Sequence, residues 1–307
     1  MTKFLPDVSV VIPAFRAKDF VSFAIDSALS QCDVDVEVIV VDDASPDGTA
    51  DFVNEQYAHD ERVSVLKQSV NGGPSLARNA GLAAATANWV AILDADDTFE
   101  PGRLRRLLNS ALAHNVDVIA DNIRFYDATT GNLSEPRMAL TEPVLKLTLH
   151  GFVARAHPGV DDLDLGLLKP MFNRAFLKRT SINYPVDIRH GEDFTLYFEL
   201  LRAGACFIVI PVAGYRWALR TSGQSQTRED YPAQRREALR LAATVAEDVE
   251  LVRLLRRRGS ELLRWRYRRK LQEARINGGL QKRFSLAIRH PVYTFERYAR
   301  SALRRLR

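Results

Sequence analysis

Short β-branched runs alternate with stretches of helical period through the first 120 residues, and this alternation restricts the fold more than any other feature of the chain. Val8–Pro13, Val36–Val41, Val63–Leu66, Trp89–Leu93 and Val116–Ala120 read as buried strands. Between them, Asp19–Gln31 places Phe20, Ala24, Ile25, Ala28 and Leu29 on one helical face. Thr49–Ala58, the stretch from Ser75 to Ala87, and Pro101–His114 read as further helices. Strands joined through helices cannot pair as tight hairpins, so they form a mostly parallel central sheet with right-handed crossovers. The predicted class is α/β, with helices on the faces of the sheet. Beyond Asp127 the alternation fades, and residues 128–165, with Gly131, Pro136, Pro143, Pro158 and Gly159, read as loop-rich. Met171–Thr180 is expected to give a strand and a short helix, Glu192–Ala203 a helix, and Cys206–Ile210 a strand.

In a parallel sheet the carboxyl ends of neighbouring strands share one edge, where such folds build their sites. The run Val90-Ala91-Ile92-Leu93-Asp94-Ala95-Asp96-Asp97 empties a buried strand into three carboxylates. Such groups raise one another's pKa unless a positive charge sits among them. A divalent cation, Mn²⁺ or Mg²⁺, meets that need with oxygen ligands and a phosphate-bearing partner. A solvated acidic turn is the plainer reading of this motif alone. The other strand ends carry Pro13-Ala14-Phe15 and Asp42-Asp43, and the loop Gly73-Pro74-Ser75 opens the helix that bears Arg78. A backbone edge, two groups of carboxylates and an arginine together suit a nucleotide diphosphate.

At these residues the sequence resembles the family 2 glycosyltransferases, inverting enzymes of the GT-A fold found in bacterial polysaccharide biosynthesis. The resemblance rests on Val10–Phe15, Val41–Thr49, Ala77-Arg78-Asn79-Ala80-Gly81 and Leu93–Asp97 in that order, with Gly191-Glu192-Asp193 later in the chain. It implies that Pro13 and Ala14 line the nucleotide base, that Asp43 holds base or ribose with Asp42 nearby, and that Arg78 reaches base or diphosphate. Asp94 and Asp96 become the D-x-D pair serving ribose and metal, with Asp97 an extra metal ligand. Asp193 becomes the general base, supported by Glu192, with His190 on the acceptor side. Trp217 either offers its face to a sugar ring or is a core aromatic beside a surface loop. The implied reaction moves a sugar from a nucleotide-sugar donor, a UDP-sugar by family frequency, to a saccharide or lipid-linked oligosaccharide acceptor. Each residue also has a plainer reading as a helix cap, a surface ion pair or an acid complementing a helix dipole.

Three segments follow from this pattern: residues 1–125 as the nucleotide-sugar-binding half, 126–230 as the acceptor-binding half of the same domain, and 231–307 as a helical, arginine-rich extension. Residues 251–307 hold 18 Lys and Arg against three acids, whereas the preceding 250 residues carry 25 basic and 35 acidic groups. Leucines and aromatics interleave with the arginines, a composition suited to an anionic membrane surface. The alternative is a helical appendage that packs on the body or on another subunit. An acidic body without RNA-binding motifs disfavours nucleic acid as partner. Two cysteines, no basic-then-apolar leader and no run near the roughly 18 apolar residues of a membrane span lead to an expected cytoplasmic location, peripheral on the inner face of the membrane. The absence of a G-x-G-x-x-G after the first strand disfavours a dinucleotide oxidoreductase. Two other readings compete: a sugar nucleotidyltransferase, which would need a glycine- and arginine-rich loop where Pro13-Ala14-Phe15-Arg16 stands, and a membrane-associated scaffold that binds nucleotide without turnover.

Overall fold

The structure is a computed structural model that describes residues 5–158, 163–219 and 230–277, with residues 288 and 293. It divides into two compact units, residues 1–156 with 162–229, and residues 157–161 with 230–307.

The first unit opens as β1 (Val8–Ala14), α1 (Val21–Leu29), β2 (Val36–Asp42), α2 (Thr49–Gln56), β3 (Val63–Lys67), α3 (Pro74–Ala84) and β4 (Trp89–Ile92). It continues as β5 (Thr98–Phe99), α4 (Arg103–His114), β6 (Val118–Asp127), β7 (Leu145–Leu147) and α5 (Leu149–Arg155). A 3₁₀ turn at Leu165–Leu167 precedes β8 (Met171–Asn173), α6 (Arg174–Thr180), α7 (Glu192–Arg202) and β9 (Phe207–Leu219). These nine strands lie in one sheet of order β3-β2-β1-β4-β8-β6-β9-β5, with β7 paired to β9.

The alternating half is parallel, as its crossover helices require: β1 lies between β2 and β4, and β2 also pairs with β3. Val8, Val10, Val11 and Ile12 are wholly buried, because helices cover both faces of these strands. Gly81 lets α3 approach β1 closely, since a methyl group there would overlap Val11. The remaining strands make the sheet mixed. β8 runs antiparallel to both β4 and β6, and β5 and β7 run antiparallel to β9, whereas β6 and β9 are parallel. The segment 128–165 contains β7 and α5, two short elements beyond the expected loops. The side chain of Thr148 caps α5 by accepting from Gly151 N at 3.0 Å.

A buried ion pair braces the centre of the mixed half. Arg103 is fully buried and reaches Asp121 on β6 with Nη2 at 2.7 Å and Nε at 3.0 Å. Its guanidinium also lies over the rings of Phe99 and Tyr215, 4.5 and 5.3 Å from their centroids. Burial pushes the Asp121 carboxyl above its ordinary range, with Arg103 opposing the rise. Gly214 on β9 has no room for a Cβ, which would overlap the Asp121 carboxylate.

The second unit contains α8 (Tyr231–Thr244) and α9 (Val249–Asn277). The Asp230 side chain caps α8 by accepting from Ala233 N at 3.0 Å. Leu251, Leu254, Leu255, Leu262 and Leu271 are buried along α9, as are Ala238, Leu241 and Ala242 along α8. The two helices approach closely at Gly259, where a Cβ would lie 3.1 Å from Arg235 Cγ. Arg253, Arg256, Arg257, Arg268, Lys270 and Arg275 are exposed. The described part of the extension expected over 231–307 is therefore helical, through Asn277. Among the described residues, no helix is long and apolar enough to cross a membrane.

Candidate active site

Adjacent parallel strands bring the predicted residues to one edge. Ala14 stands opposite Asp42 in register, Asp43 N donates to Ala14 O at 2.8 Å, and Leu93 N donates to Val11 O at 3.0 Å. The ends of β1, β2 and β4 therefore present Pro13-Ala14, Asp42-Asp43 and Asp94 side by side. Asp43 is buried, and its two carboxylate oxygens accept from Gly72 N at 2.7 Å and Gly73 N at 2.8 Å. This closes the loop ahead of α3. Asp42 is also buried: Oδ2 accepts from Ser45 N at 3.2 Å, and Oδ1 has no partner among the described residues. Ala44, next to this pair, holds a left-handed φ of 55°, strained backbone of the kind that collects at functional sites.

On α3, Ser75 and Arg78 lie three residues apart on the buried face. Ser75 Oγ and Arg78 Nε lack partners among the described residues. The other nitrogens of Arg78 are engaged: Nη2 donates to Asp94 Oδ1 at 2.8 Å and Nη1 to Glu192 Oε1 at 2.7 Å. Asp94 in turn places Oδ2 3.0 Å from Lys169 Nζ, and that ammonium donates to Asp193 Oδ2 at 2.9 Å. Two cations thus join the end of β4 to the first turn of α7, a helix that begins at Glu192 after the left-handed Gly191. Tyr184 borders this chain of charges, with its ring 5.2 Å from Arg78 Cζ.

The charges explain the titration behaviour. Burial works against the Asp94 carboxylate, but Lys169 and Arg78 hold it well below the usual carboxylate range. Burial likewise works against the Lys169 ammonium, yet Asp193 and Asp94 keep it above the ordinary lysine value. Asp193 itself is buried, and its Oδ1 has no hydrogen-bond partner among the described residues.

Asp97 turns inward. Its Oδ2 accepts from Tyr215 Oη at 2.6 Å and its Oδ1 from Ala218 N at 2.8 Å. Tyr215 Oη also accepts from Asp94 N at 3.2 Å, so one phenol fixes both ends of the acidic turn. Burial, then Asp96 and Asp94, push the Asp97 carboxyl well above its usual range. Burial is the larger cause and the neighbouring carboxylates add to it, so a divalent cation at this turn would offset part of the rise. Among the described residues no three His, Cys, Asp or Glu side chains form a ready-made metal cage. Mg²⁺ and its relatives commonly take one or two carboxylates and complete their shell with water and substrate phosphates. Asp96 is half-buried at this turn, Asp97 has both oxygens occupied, and the oxygens of Asp94 face two cations. Trp217 packs edge-on against Phe125 at 5.6 Å on the paired ends of β9 and β6, and His190 is half-buried in the turn before Gly191.

Lys169 was not among the residues singled out by sequence. Its signal is a lone cation within the apolar stretch Leu167-Leu168-Lys169-Pro170-Met171, a setting in which a lysine is retained only when paired. Tyr215 gave no such signal, because a tyrosine on a strand is ordinary.

The profile of "Glycosyl transferase family 2" matches residues 9–162, a span that contains the ends of β1, β2 and β4, Arg78 and the acidic turn, but not Lys169, Tyr184, α7 or β9. The chain belongs to that family. It is 34% identical over 303 residues to the succinoglycan biosynthesis protein ExoU of Rhizobium meliloti (strain 1021), covering 95% of the chain and 86% of ExoU. It is 36% identical over 222 residues to ExoO of the same organism, also named a succinoglycan biosynthesis protein, covering 72% of the chain and 63% of ExoO. The chain thus spans just under two thirds of ExoO's length. Among solved structures, the chain resembles S. aureus TarS 1-349 in complex with UDP-GlcNAc, with TM-score 0.67, 20% identity, and 91% of this chain and 79% of that chain covered. The complex of the same protein with UDP gives a TM-score of 0.62 at 22% identity, with 89% of this chain and 74% of that chain covered. The family member described here is therefore a glycosyltransferase with the GT-A fold and a helical C-terminal extension.

Proposed function

We propose that this chain is an inverting glycosyltransferase that moves a sugar from a UDP-sugar to a saccharide acceptor during exopolysaccharide assembly. The observation that carries the reading is the state of Asp193. One carboxylate oxygen is held by Lys169 while the other is buried and without a partner among the described residues, at the end of a charge chain that starts at Asp94. A buried, unpartnered carboxylate oxygen is suited to take the proton of an attacking hydroxyl. The printed names of ExoU and ExoO support exopolysaccharide assembly, and the UDP and UDP-GlcNAc complexes of TarS support the donor class.

The residues divide the work as follows. Residues 1–125 bind the donor: Pro13, Ala14, Asp42 and Asp43 form the edge for base and ribose, and Arg78 with Ser75 faces the diphosphate. Asp96 would hold a divalent Mn²⁺ or Mg²⁺, with Asp94 and Asp97 behind it, in a family that generally uses such a metal. When bound, the ion would offset the negative charge of the departing diphosphate. Residues 126–230 supply the acceptor side, with Asp193 as base and Glu192, His190 and Trp217 around the acceptor. Asp193 takes the hydroxyl proton as the acceptor oxygen forms its bond to the anomeric carbon and the bond to the diphosphate oxygen breaks. A single displacement from the opposite face inverts the configuration. The test is release of UDP from a panel of UDP-sugars with Mn²⁺ or Mg²⁺ in the presence of saccharide acceptors. Turnover of at least one is expected, and turnover of none would favour the non-catalytic scaffold.

The arginines exposed along α9 support placement on an anionic membrane surface, where a lipid-linked acceptor resides. The chain is expected to sediment with phosphatidylglycerol-rich vesicles at low salt and to be released at high salt, as screened electrostatic binding requires. No sedimentation at low salt would remove the membrane from this account.

A further inference from the structure

Lys169 is a buried charge beside the candidate base that the family motifs leave unexplained. It is 7% exposed, and an ammonium in such a position persists only where carboxylates face it. Its Nζ stands 3.0 Å from Asp94 Oδ2 and 2.9 Å from Asp193 Oδ2, so one ammonium joins the donor strand end to the first turn of α7. Its backbone is held on both sides: the Leu168 carbonyl accepts from Tyr197 Oη at 2.7 Å, and the Lys169 carbonyl accepts from Arg103 Nη2 at 2.6 Å. Arg103 is in turn fixed by Asp121 on β6. A side chain needed only to neutralise charge would not require a main chain held by a separate buried ion pair.

We propose that Lys169 is the positioning residue of the base. Its ammonium binds Asp193 through Oδ2 and leaves Oδ1 as the oxygen for the acceptor hydroxyl, and it ties that carboxylate to Asp94 at the donor site. This rests on the reading of Asp193 as general base. Arg78 is the other cation near Asp193, but its hydrogen bonds go to Asp94 and Glu192. Lys169 is therefore the cation hydrogen-bonded to Asp193 itself. Without it, Asp193 could rotate about its side-chain torsions, and the geometry needed for proton transfer would be lost while the donor edge on β1 and β2 stayed in place.

The test compares Lys169→Met, Lys169→Gln, Lys169→Arg and Asp193→Asn in the full chain. It reads kcat and donor KM from UDP release, and affinity for UDP with Mn²⁺ by calorimetry. Lys169→Met and Lys169→Gln are expected to lower kcat by about 100-fold with UDP affinity within about threefold of wild type, a loss of transition-state geometry and not of ground-state binding. Lys169→Arg, which keeps the charge and can bridge two carboxylates, is expected to recover kcat about tenfold over the Met variant. If the Met variant does not fold, the Gln variant gives the same reading. An inactive Asp193→Asn beside a Lys169→Gln of near-normal kcat would overturn this inference and leave the base assignment standing. Parallel loss of UDP binding and kcat, without rescue by arginine, would mark an ordinary packing role and overturn it too. An active Asp193→Asn, or a wild type that turns over no donor, would overturn the functional reading and this inference with it.

Discussion

Asp193→Asn is expected to lower kcat for sugar transfer by about 10²–10⁴-fold, the range that a general base contributes, with little change in nucleotide affinity. The substitution is close to isosteric. An asparagine carbonyl can still accept from Lys169 where Oδ2 now does, so the chain of contacts from Asp94 through Lys169 to α7 survives. The change falls on the other atom: Oδ1, buried and without a partner among the described residues, becomes an amide that cannot take a proton. Residues assigned to the donor lie on β1, on α3 and at the ends of β2 and β4, and none of them is changed. The variant should therefore bind UDP with Mn²⁺ as wild type does and fail in turnover, a fall in kcat with KM nearly unchanged. A variant that lost UDP binding to the same degree would point to a donor-site role for Asp193.

The largest effect on stability is expected at Arg103. Replacing it with Met leaves the Asp121 carboxyl buried without its cation and removes the donor to the Lys169 carbonyl. Breaking a buried pair from one side costs about 3–5 kcal/mol. For a domain of this size that lowers Tm by roughly 6–20 °C. Because burial already raises the Asp121 pKa, the orphaned carboxyl should take up a proton on folding. The penalty then shrinks as pH falls through the folded-state pKa toward the unfolded value, and it is largest at neutral pH. The double variant Arg103→Met/Asp121→Leu should regain much of the loss, because an apolar pair has no charge to desolvate. Unfolding in urea at pH 5 and pH 7.5 separates these outcomes. Equal destabilisation at both pH values would show that the loss is one of packing and not of an unpaired charge.

These two sites differ in how far they could be read from the chain. Local pattern specifies β1 to β4: β1, β2 and β4 are short runs of mostly buried apolar residues, β3 is a half-exposed edge strand in place of the buried one expected, helices join the four, and parallel pairing leaves little choice in which ends meet. That is why Asp42, Asp43 and Asp94 could be placed on one edge before any geometry was known. The second half resists such reading because its order depends on long-range pairing. β8 is three residues long and sits between β4 and β6, antiparallel to both; the strand and short helix expected over Met171–Thr180 are present, but nothing in that stretch gives the strand's neighbours or its direction. Arg103 and Asp121 each look like surface charges in sequence, on a helix and a strand respectively, and only tertiary contact makes them a buried pair. Lys169 differs in that its apolar flanks point to burial, but only tertiary contact gives its partners, Asp94 and Asp193. Asp97 illustrates a different limit. Its place in the acidic run suggested a metal ligand, but side-chain direction at a strand end depends on the turn, and this turn sends it to Tyr215 and Ala218.

The central claim is that carboxylates at the end of β4 meet a nucleotide diphosphate through a divalent ion. Thermal unfolding of the wild type and Asp96→Ala with a panel of nucleotide-sugars, each with Mn²⁺, Mg²⁺ or chelator, tests it directly. At about 100-fold excess over Kd a donor adds about 2.7 kcal/mol of stability, an increase in Tm of roughly 5–10 °C. At least one nucleotide-sugar is expected to give such a shift in wild type with metal, chelator to remove most of it, and Asp96→Ala to show little of it. A shift of equal size with and without metal, or one retained in full by Asp96→Ala, would contradict the claim, as would no shift with any donor.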